Sequence, residues 1–219
     1  MKNKSLILFD FDGTLADTLP ASFDAFRTVF KKYDGQDVTN EQLVAMFGPT
    51  EDEIITRNFT KLEAVSEAIL EYYDLYEKAH GSMDEINSIR ELLMVLKEDG
   101  RHIAVVTGKS RKAFDISSEA LQISSYFDYV VTGDDVEKPK PDPEGIFKTM
   151  KFVGASPEEV VFLGDSNADI VAGKAAGVLT YAVQWLSTYQ SVEYEVKPDG
   201  IFKHVADFAA LFKDSGAGR

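Results

Sequence analysis

Five short apolar runs, Leu6–Phe9, His102–Val106, Tyr129–Val131, Val160–Leu163 and Val178–Val183, stand out because polar residues do not alternate within them. Unbroken apolar runs of this length are how strands look when both faces of a parallel sheet are covered. Between the later runs the apolar residues return at helical spacing, and this βαβ rhythm predicts an α/β fold with a doubly wound parallel sheet. Ser156-Pro157-Glu158-Glu159 has the order of a cap, a first-turn proline and a capping-box acid, so a short helix is expected to lead into the fourth strand.

From about residue 17 the rhythm breaks and only helical patterns follow. Asn40 and Thr50 are the expected caps, with Thr50 and Glu53 forming a capping box, and an apolar face is expected through Leu62, Val65, Ile69, Tyr72, Tyr73 and Tyr76. An all-helical insert after the first strand reads as a separate small domain, residues 17–83, set into a core of residues 1–16 and 84–219. The last residues, Asp214–Arg219, are expected to fray.

Composition narrows the function more than the fold. The 219 residues carry 44% hydrophobic and 27% charged side chains, ordinary for a globular protein, but a formal net charge of -14. Nucleic acids and anionic membranes are therefore not expected partners, because both need a basic surface. With no cysteine, disulfides, zinc-thiolate sites and cysteine nucleophiles are excluded, and a reducing, cytoplasmic setting is expected. The basic opening Met1–Lys4 is followed by too short an apolar run for a signal core, and no run has the length of a membrane helix.

The polar residues that end the strands carry the chemistry. Leu6–Phe9 runs into Asp10-Phe11-Asp12-Gly13-Thr14-Leu15, His102–Val106 into Thr107-Gly108-Lys109, and Val160–Leu163 into Gly164-Asp165-Ser166-Asn167-Ala168-Asp169. Open α/β sheets bind ligands at the carboxyl ends of their strands, where these groups would meet. Singly, each has a plain reading: a tight turn for Asp10–Thr14, a helix cap for Thr107, an Asx turn for Gly164–Ser166. Jointly they crowd acids, and two carboxylates about 4 Å apart repel by roughly 4 kcal/mol at an effective dielectric of about 20. A divalent cation or a lysine must compensate, and oxygen-only ligands point to Mg²⁺. The proline-stiffened loop Lys138-Pro139-Lys140-Pro141-Asp142-Pro143 offers the lysine.

Asp10–Leu15, Thr107, Lys140–Pro143 and Gly164-Asp165-Ser166-x-x-Asp169 resemble, in order, the four signature motifs of the haloacid-dehalogenase-like hydrolase superfamily. The helical insert resembles the cap of its first subclass, that of the phosphoglycolate phosphatase and beta-phosphoglucomutase relatives. The resemblance spans Leu6 to about Trp185 and implies a Rossmann-like core. It implies that Asp10 is the nucleophile forming an aspartyl-phosphate and that Asp12 is the acid/base. It also implies Mg²⁺ held by the Asp10 carboxylate, the Asp12 backbone carbonyl and Asp165, with Asp169 supporting the metal. Thr107 and Lys140 would grip the phosphoryl oxygens, with Gly108 beside them, while Gly13 and Thr14 shape the loop. Lys140 is chosen over Lys138 because the family's apolar helix residue then falls on Ile146 rather than Glu144. The carboxylate at Asp12 argues against dehalogenation.

In the insert, Met46-Phe47-Gly48-Pro49-Thr50-Glu51 resembles the loop that faces the core site, so Pro49 and Thr50 join the expected substrate contacts. The usual Pro-Gly at the second hinge is replaced by Gly81-Ser82-Met83-Asp84-Glu85. Lys109 reads equally as a site residue or a helix-start lysine. Arg57, His80, His102, His204 and Trp185 are read as surface or packing residues. The expected activity is hydrolysis of a small phosphorylated metabolite by a monomer or homodimer. The alternatives are a phosphomutase, an inorganic pyrophosphatase and a receiver-like phospho-acceptor module.

Overall fold

The computed structural model describes residues 1, 3–80 and 86–213, so the hinge expected at Gly81–Glu85 and the tail Asp214–Arg219 lie outside the described residues. Strands β1 (Leu6–Phe9), β2 (His102–Val106), β3 (Tyr129–Val131), β4 (Val160–Gly164) and β5 (Leu179–Val183) form on the five apolar runs. A sixth, β6 (Gly200–Phe202), completes a wholly parallel sheet of order β3-β2-β1-β4-β5-β6. β6 has no apolar run to announce it: it opens on a glycine, and Ile201 is 47% exposed.

Alternate side chains of the strands feed two apolar layers. Ile7, Phe9, Ile103, Val105, Val161 and Leu163 face helices α5 (Asn87–Glu98) and α9 (Val205–Lys213), through Ile89, Leu92, Leu96 and Phe208. Leu6, Leu8, Ala104, Val106 and Phe162 face α7 (Glu144–Val153) and α8 (Asn167–Ala175), through Ile146, Met150 and Ala172. A one-residue slip would exchange the two layers, and since each buried large apolar side chain is worth about 1.5–3 kcal/mol, the register is fixed. β1 is central, and Phe9 stands level with Val105 on one side and Leu163 on the other. The segments leaving β1, β2 and β4 therefore emerge together at one edge of the sheet. Asp10 is the first residue beyond it and still donates its N–H to the Leu163 carbonyl at 2.8 Å.

Between β1 and α5 the described chain is entirely helical: α1 (Leu19–Val29), α2 (Asn40–Met46), α3 (Glu51–Asn58) and α4 (Val65–Ala79). They close on their own apolar cluster, with Phe26 against Tyr72 at 4.5 Å and Phe30 edge-on to Phe59 at 5.0 Å. α1 ends in a wider π turn at Phe30–Asp34, stopped by Gly35 at φ 77°. The buried Asp34 carboxylate there accepts from Thr60 N, Thr60 Oγ1 and Lys61 N at 2.9, 2.8 and 2.8 Å, tying the end of α1 to the chain after α3. Ala113 of α6 (Arg111–Ala120) joins the same cluster from the sheet side.

Three local expectations are corrected. The cap of α2 is Thr39, not Asn40: Gln42 N donates to Thr39 Oγ1 at 3.3 Å and Thr39 N to Gln42 Oε1 at 2.8 Å. Thr50 is the N-cap residue of α3, as expected, but its hydroxyl makes no capping bond and the capping box with Glu53 does not form: the Thr50 methyl packs against Gly133, and Glu53 pairs with Arg57 at 3.0 Å. Leu62 is 69% exposed, since it sits in a separate 3₁₀ turn, Leu62–Ala64, that breaks helical phase with α4. The Ser156–Glu159 capping box forms as expected, and Ser156 N and Oγ both donate to Glu159 Oε2, at 3.0 and 2.9 Å. Among the described residues no helix is long and apolar enough to cross a membrane.

Candidate active site

The loop after β1 is wound tightly around one carbonyl. Phe11 O accepts from Thr14 N, Leu15 N and Ala16 N at 3.2, 2.8 and 3.1 Å, while the Phe11 ring anchors in the core edge-on to Phe114. Asp10 and Asp12 flank that anchored residue. Gly13 has φ +74°, and a side chain there would come within 2.3 Å of Asp165 Oδ2, so both backbone and space require glycine.

β4 delivers the second group of acids. Asp165 is fully buried; its Oδ2 accepts from Gln190 N at 2.7 Å and its Oδ1 from Thr14 Oγ1 at 3.3 Å. Ser166 caps α8 in a capping box with Asp169, donating from N and Oγ to Asp169 Oδ2 at 3.0 and 2.6 Å. Lys140 reaches in from the proline loop and lies 2.6 Å from both Asp10 Oδ1 and Asp169 Oδ1. Asp10, Asp165 and Asp169 each bring one carboxylate oxygen within 4.8 Å of the others, all three buried, a donor set suited to a cation.

One lysine among three acids leaves negative charge uncompensated, and the protonation equilibria register it. Burial, reinforced by the charge of Asp169 and opposed by Lys140, pushes the Asp10 carboxyl up to about 7. Burial and the neighbouring acids push Asp165 well above its ordinary range. Lys140 is raised: burial disfavours its charge, but Asp10 and Asp169 outweigh that cost.

Asp12 stands apart from the three acids. Its Oδ1 accepts from the Thr18 hydroxyl and from Lys109 Nζ, the latter at 3.1 Å. Lys109 is buried, 4.8 Å from the centre of the Tyr76 ring, and lies 3.6 Å from Glu51 Oε1. Glu51, the first residue of α3, also accepts from Ser110 N at 2.8 Å, and burial raises its carboxyl. Ser110, not Thr107, caps α6; the Thr107 hydroxyl accepts from Lys109 N at 3.2 Å.

Between the sheet edge and the insert lies a cavity of about 390 Å³. Of the residues singled out from sequence, Asp10, Asp12, Pro49, Thr107, Gly108 and Lys140 line it. Gly13, Thr14, Thr50, Asp165 and Asp169 stand behind that lining: Thr14 holds Asp165, and Thr50 packs on Gly133. Glu51, which lines the cavity from α3, ends the loop expected to face the site but was given no role of its own; sequence reasoning missed Ser22, from α1, and Gln190, from the loop after β5. An acid at the first helical position reads as ordinary dipole compensation, so Glu51 carried no distinguishing signal. His80 is structural, as expected, bonded to Tyr76 O at 2.7 Å and Ser117 Oγ at 2.9 Å. Trp185 packs on Phe208 and donates to Thr14 O at 2.7 Å.

A parallel sheet with its acids and lysine gathered at the carboxyl edge under a helical insert defines an α/β enzyme. The haloacid dehalogenase-like hydrolase family model matches residues 7–183, and the chain belongs to that family. It is similar to the Pyrophosphatase PpaX of Bacillus cereus (strain AH820), 31% identical over 95% of this chain and 96% of that one. In fold it is similar to a predicted phosphoglycolate phosphatase from Haemophilus somnus, with TM-score 0.80, 24% identity, and coverage of 96% and 99% of the two chains. It is likewise similar to CbbY from Rhodobacter sphaeroides, solved with phosphate, with TM-score 0.80, 23% identity, and coverage of 94% and 96%. The protein is an enzyme of the hydrolase class that this family defines.

Proposed function

We propose that the protein is a Mg²⁺-dependent phosphatase that hydrolyses a small phosphorylated metabolite through a phosphoryl group carried on Asp10. The observation that carries this reading is the convergence of Asp10, Asp165, Asp169 and Lys140 behind a cavity edged by Thr107. Oxygen-only donors and uncompensated charge fit Mg²⁺, held by Asp10, Asp165 and the Asp12 backbone carbonyl. Asp169 acts one step back: Lys140 and Ser166 engage its two oxygens, so it positions the lysine. When bound, the metal would neutralise charge on the acids and on the phosphoryl oxygens.

In the first step an Asp10 oxygen attacks phosphorus, the ester P–O bond breaks, and Asp12 gives its proton to the departing alkoxide. In the second step Asp12 takes a proton from water, whose oxygen attacks phosphorus and frees the Asp10 carboxylate and inorganic phosphate. Thr107 and Lys140 hold the phosphoryl oxygens throughout. Residues 17–83 act as a cap over the leaving group, excluding bulk water. The absence of cysteine suits a cytoplasmic enzyme.

A second reading, inorganic pyrophosphatase, is favoured by the name of the PpaX relatives. Phosphate release with Mg²⁺ from a set of phosphomonoesters and from pyrophosphate separates the two. The account predicts turnover of monoesters, abolished by EDTA and reduced roughly 10³-fold or more in Asp10→Asn. Unchanged turnover in that variant would contradict it.

A further inference from the structure

The part of the cavity that faces the insert is built almost without charge. Phe26 of α1, Val44 of α2, Phe47 after it and Ile54 of α3 supply apolar wall, and Ser22 and Glu51 supply its polar groups. The cationic side chains among the described lining residues are Lys109 and Lys140, and each is already engaged by two carboxylates. Arg27 lines a separate surface cleft and is bound to Asp24 and Asn40, and Arg57 is paired with Glu53. The segment Gly81–Glu85 contains no lysine or arginine.

A second anionic group entering this chamber would give up part of its water, meet no unpaired cation among the described lining residues and face the Glu51 carboxylate. Burying a charge without a partner is costly, and like-charge juxtaposition adds to the cost. Recruiting Lys109 would strip Asp12 and Glu51 of their shared partner. A neutral group pays none of these costs. The Ser22 hydroxyl, 2.9 Å from the Tyr72 hydroxyl, keeps capacity for a further hydrogen bond, and Glu51 can accept one.

We infer that the enzyme selects monoesters whose leaving group is an uncharged, largely apolar alcohol carrying a hydrogen-bonding group for Ser22 or Glu51. Pyrophosphate, bisphosphates and phosphorylated carboxylic acids are discriminated against. The inference rests on the phosphatase reading and names the substrate class of the same site. A cavity of about 390 Å³ lies near the small end of ligand sites, so the alcohol is small.

The test compares two esters of equal shape, 4-carbamoylphenyl phosphate and 4-carboxyphenyl phosphate, together with pyrophosphate, by kcat/KM with Mg²⁺. The uncharged amide is expected to lead the carboxylate and pyrophosphate by about tenfold or more. Val44→Lys, which brings a cation to the wall, is expected to narrow the gap between the two esters. A carboxylate ester or pyrophosphate turned over as well as the amide overturns the inference and leaves the phosphatase reading standing. Hydrolysis of none of the three, with Asp10→Asn indistinguishable from wild type on every phosphomonoester tried, overturns the phosphatase reading and the inference with it.

Discussion

Asp10, Asp165 and Asp169 keep company that none of them would choose in water. Because burial and Asp169 lift the Asp10 carboxyl to about 7, its protonated form is favoured in the metal-free fold below about that pH. A raised folded-state value contributes stability at low pH that is lost as pH rises through it, here toward and past about 7. A bound cation reverses this, since it requires the ionised carboxylates. Thermal unfolding should therefore show Mg²⁺ raising Tm relative to EDTA by a margin that grows between about pH 6 and about pH 8. A margin independent of pH would contradict the assignment of these acids to a cation. Lys109 makes a complementary case. Lys109→Met leaves the buried Glu51 and the half-buried Asp12 without their cation and should cost about 3 kcal/mol in urea unfolding, partly restored by adding Glu51→Gln. At this scale Asp10 and Thr107 were legible because they directly follow apolar strands, and Lys140 because it sits in a loop stiffened by prolines. Lys109 was legible only as an ambiguity, since a lysine before a helix has many uses until Asp12 and Glu51 are seen on either side of it.

The elements explain why these side chains hold their positions. Ser166 serves twice, as the cap of α8 and as the donor that turns Asp169 toward Lys140. Ser166→Ala should cost about 1 kcal/mol in stability, typical of a lost cap, and lower kcat more than that loss explains. Loss of stability with unchanged kcat would reduce Ser166 to a cap. In the insert, the Asp34 carboxylate at the end of α1 is held below its ordinary range by bonds from Thr60, Lys61 and Gln36, which outweigh the opposing effect of burial. A depressed value contributes stability present above the unfolded value and lost as pH falls through the folded one. Asp34→Asn should flatten the acid side of the stability curve, measured by denaturation between about pH 2 and about pH 5; an unaltered acid limb would contradict this role. Five strands were readable as unbroken apolar runs, whereas β6 was not, because an edge strand of three residues with Ile201 exposed has no apolar signature. Thr39 lost to Asn40 in sequence because adjacent cap-forming residues compete, and only the Gln42 pairing separates them.

At the scale of the whole molecule, the insert meets the sheet domain through hydroxyl groups as well as through apolar contact. Tyr73 OH and Ser110 Oγ lie 2.8 Å apart, as do Tyr76 OH and Ser117 Oγ, and Glu51 crosses to Ser110 N. Such an interface suits parts that separate and rejoin, because each hydroxyl can exchange its partner for water at little net cost. The sequence already announced an α/β core with helices set in after the first strand, and singled out acids, a threonine and a lysine that the fold gathers at one sheet edge. It did not reveal the chamber between the two parts, whose walls come from positions scattered over α1, α2 and α3 that are joined only by folding. The central claim remains a chemical one about the stretch after β1. Mixing the enzyme with Mg²⁺ and an aryl phosphate, quenching in acid and mapping the peptides by mass tests it directly. The account predicts one phosphoryl group on Asp10, accumulating in Asp12→Asn and absent in Asp10→Asn. Turnover that persists in Asp10→Asn, or a phosphoryl group found on another residue, would contradict it.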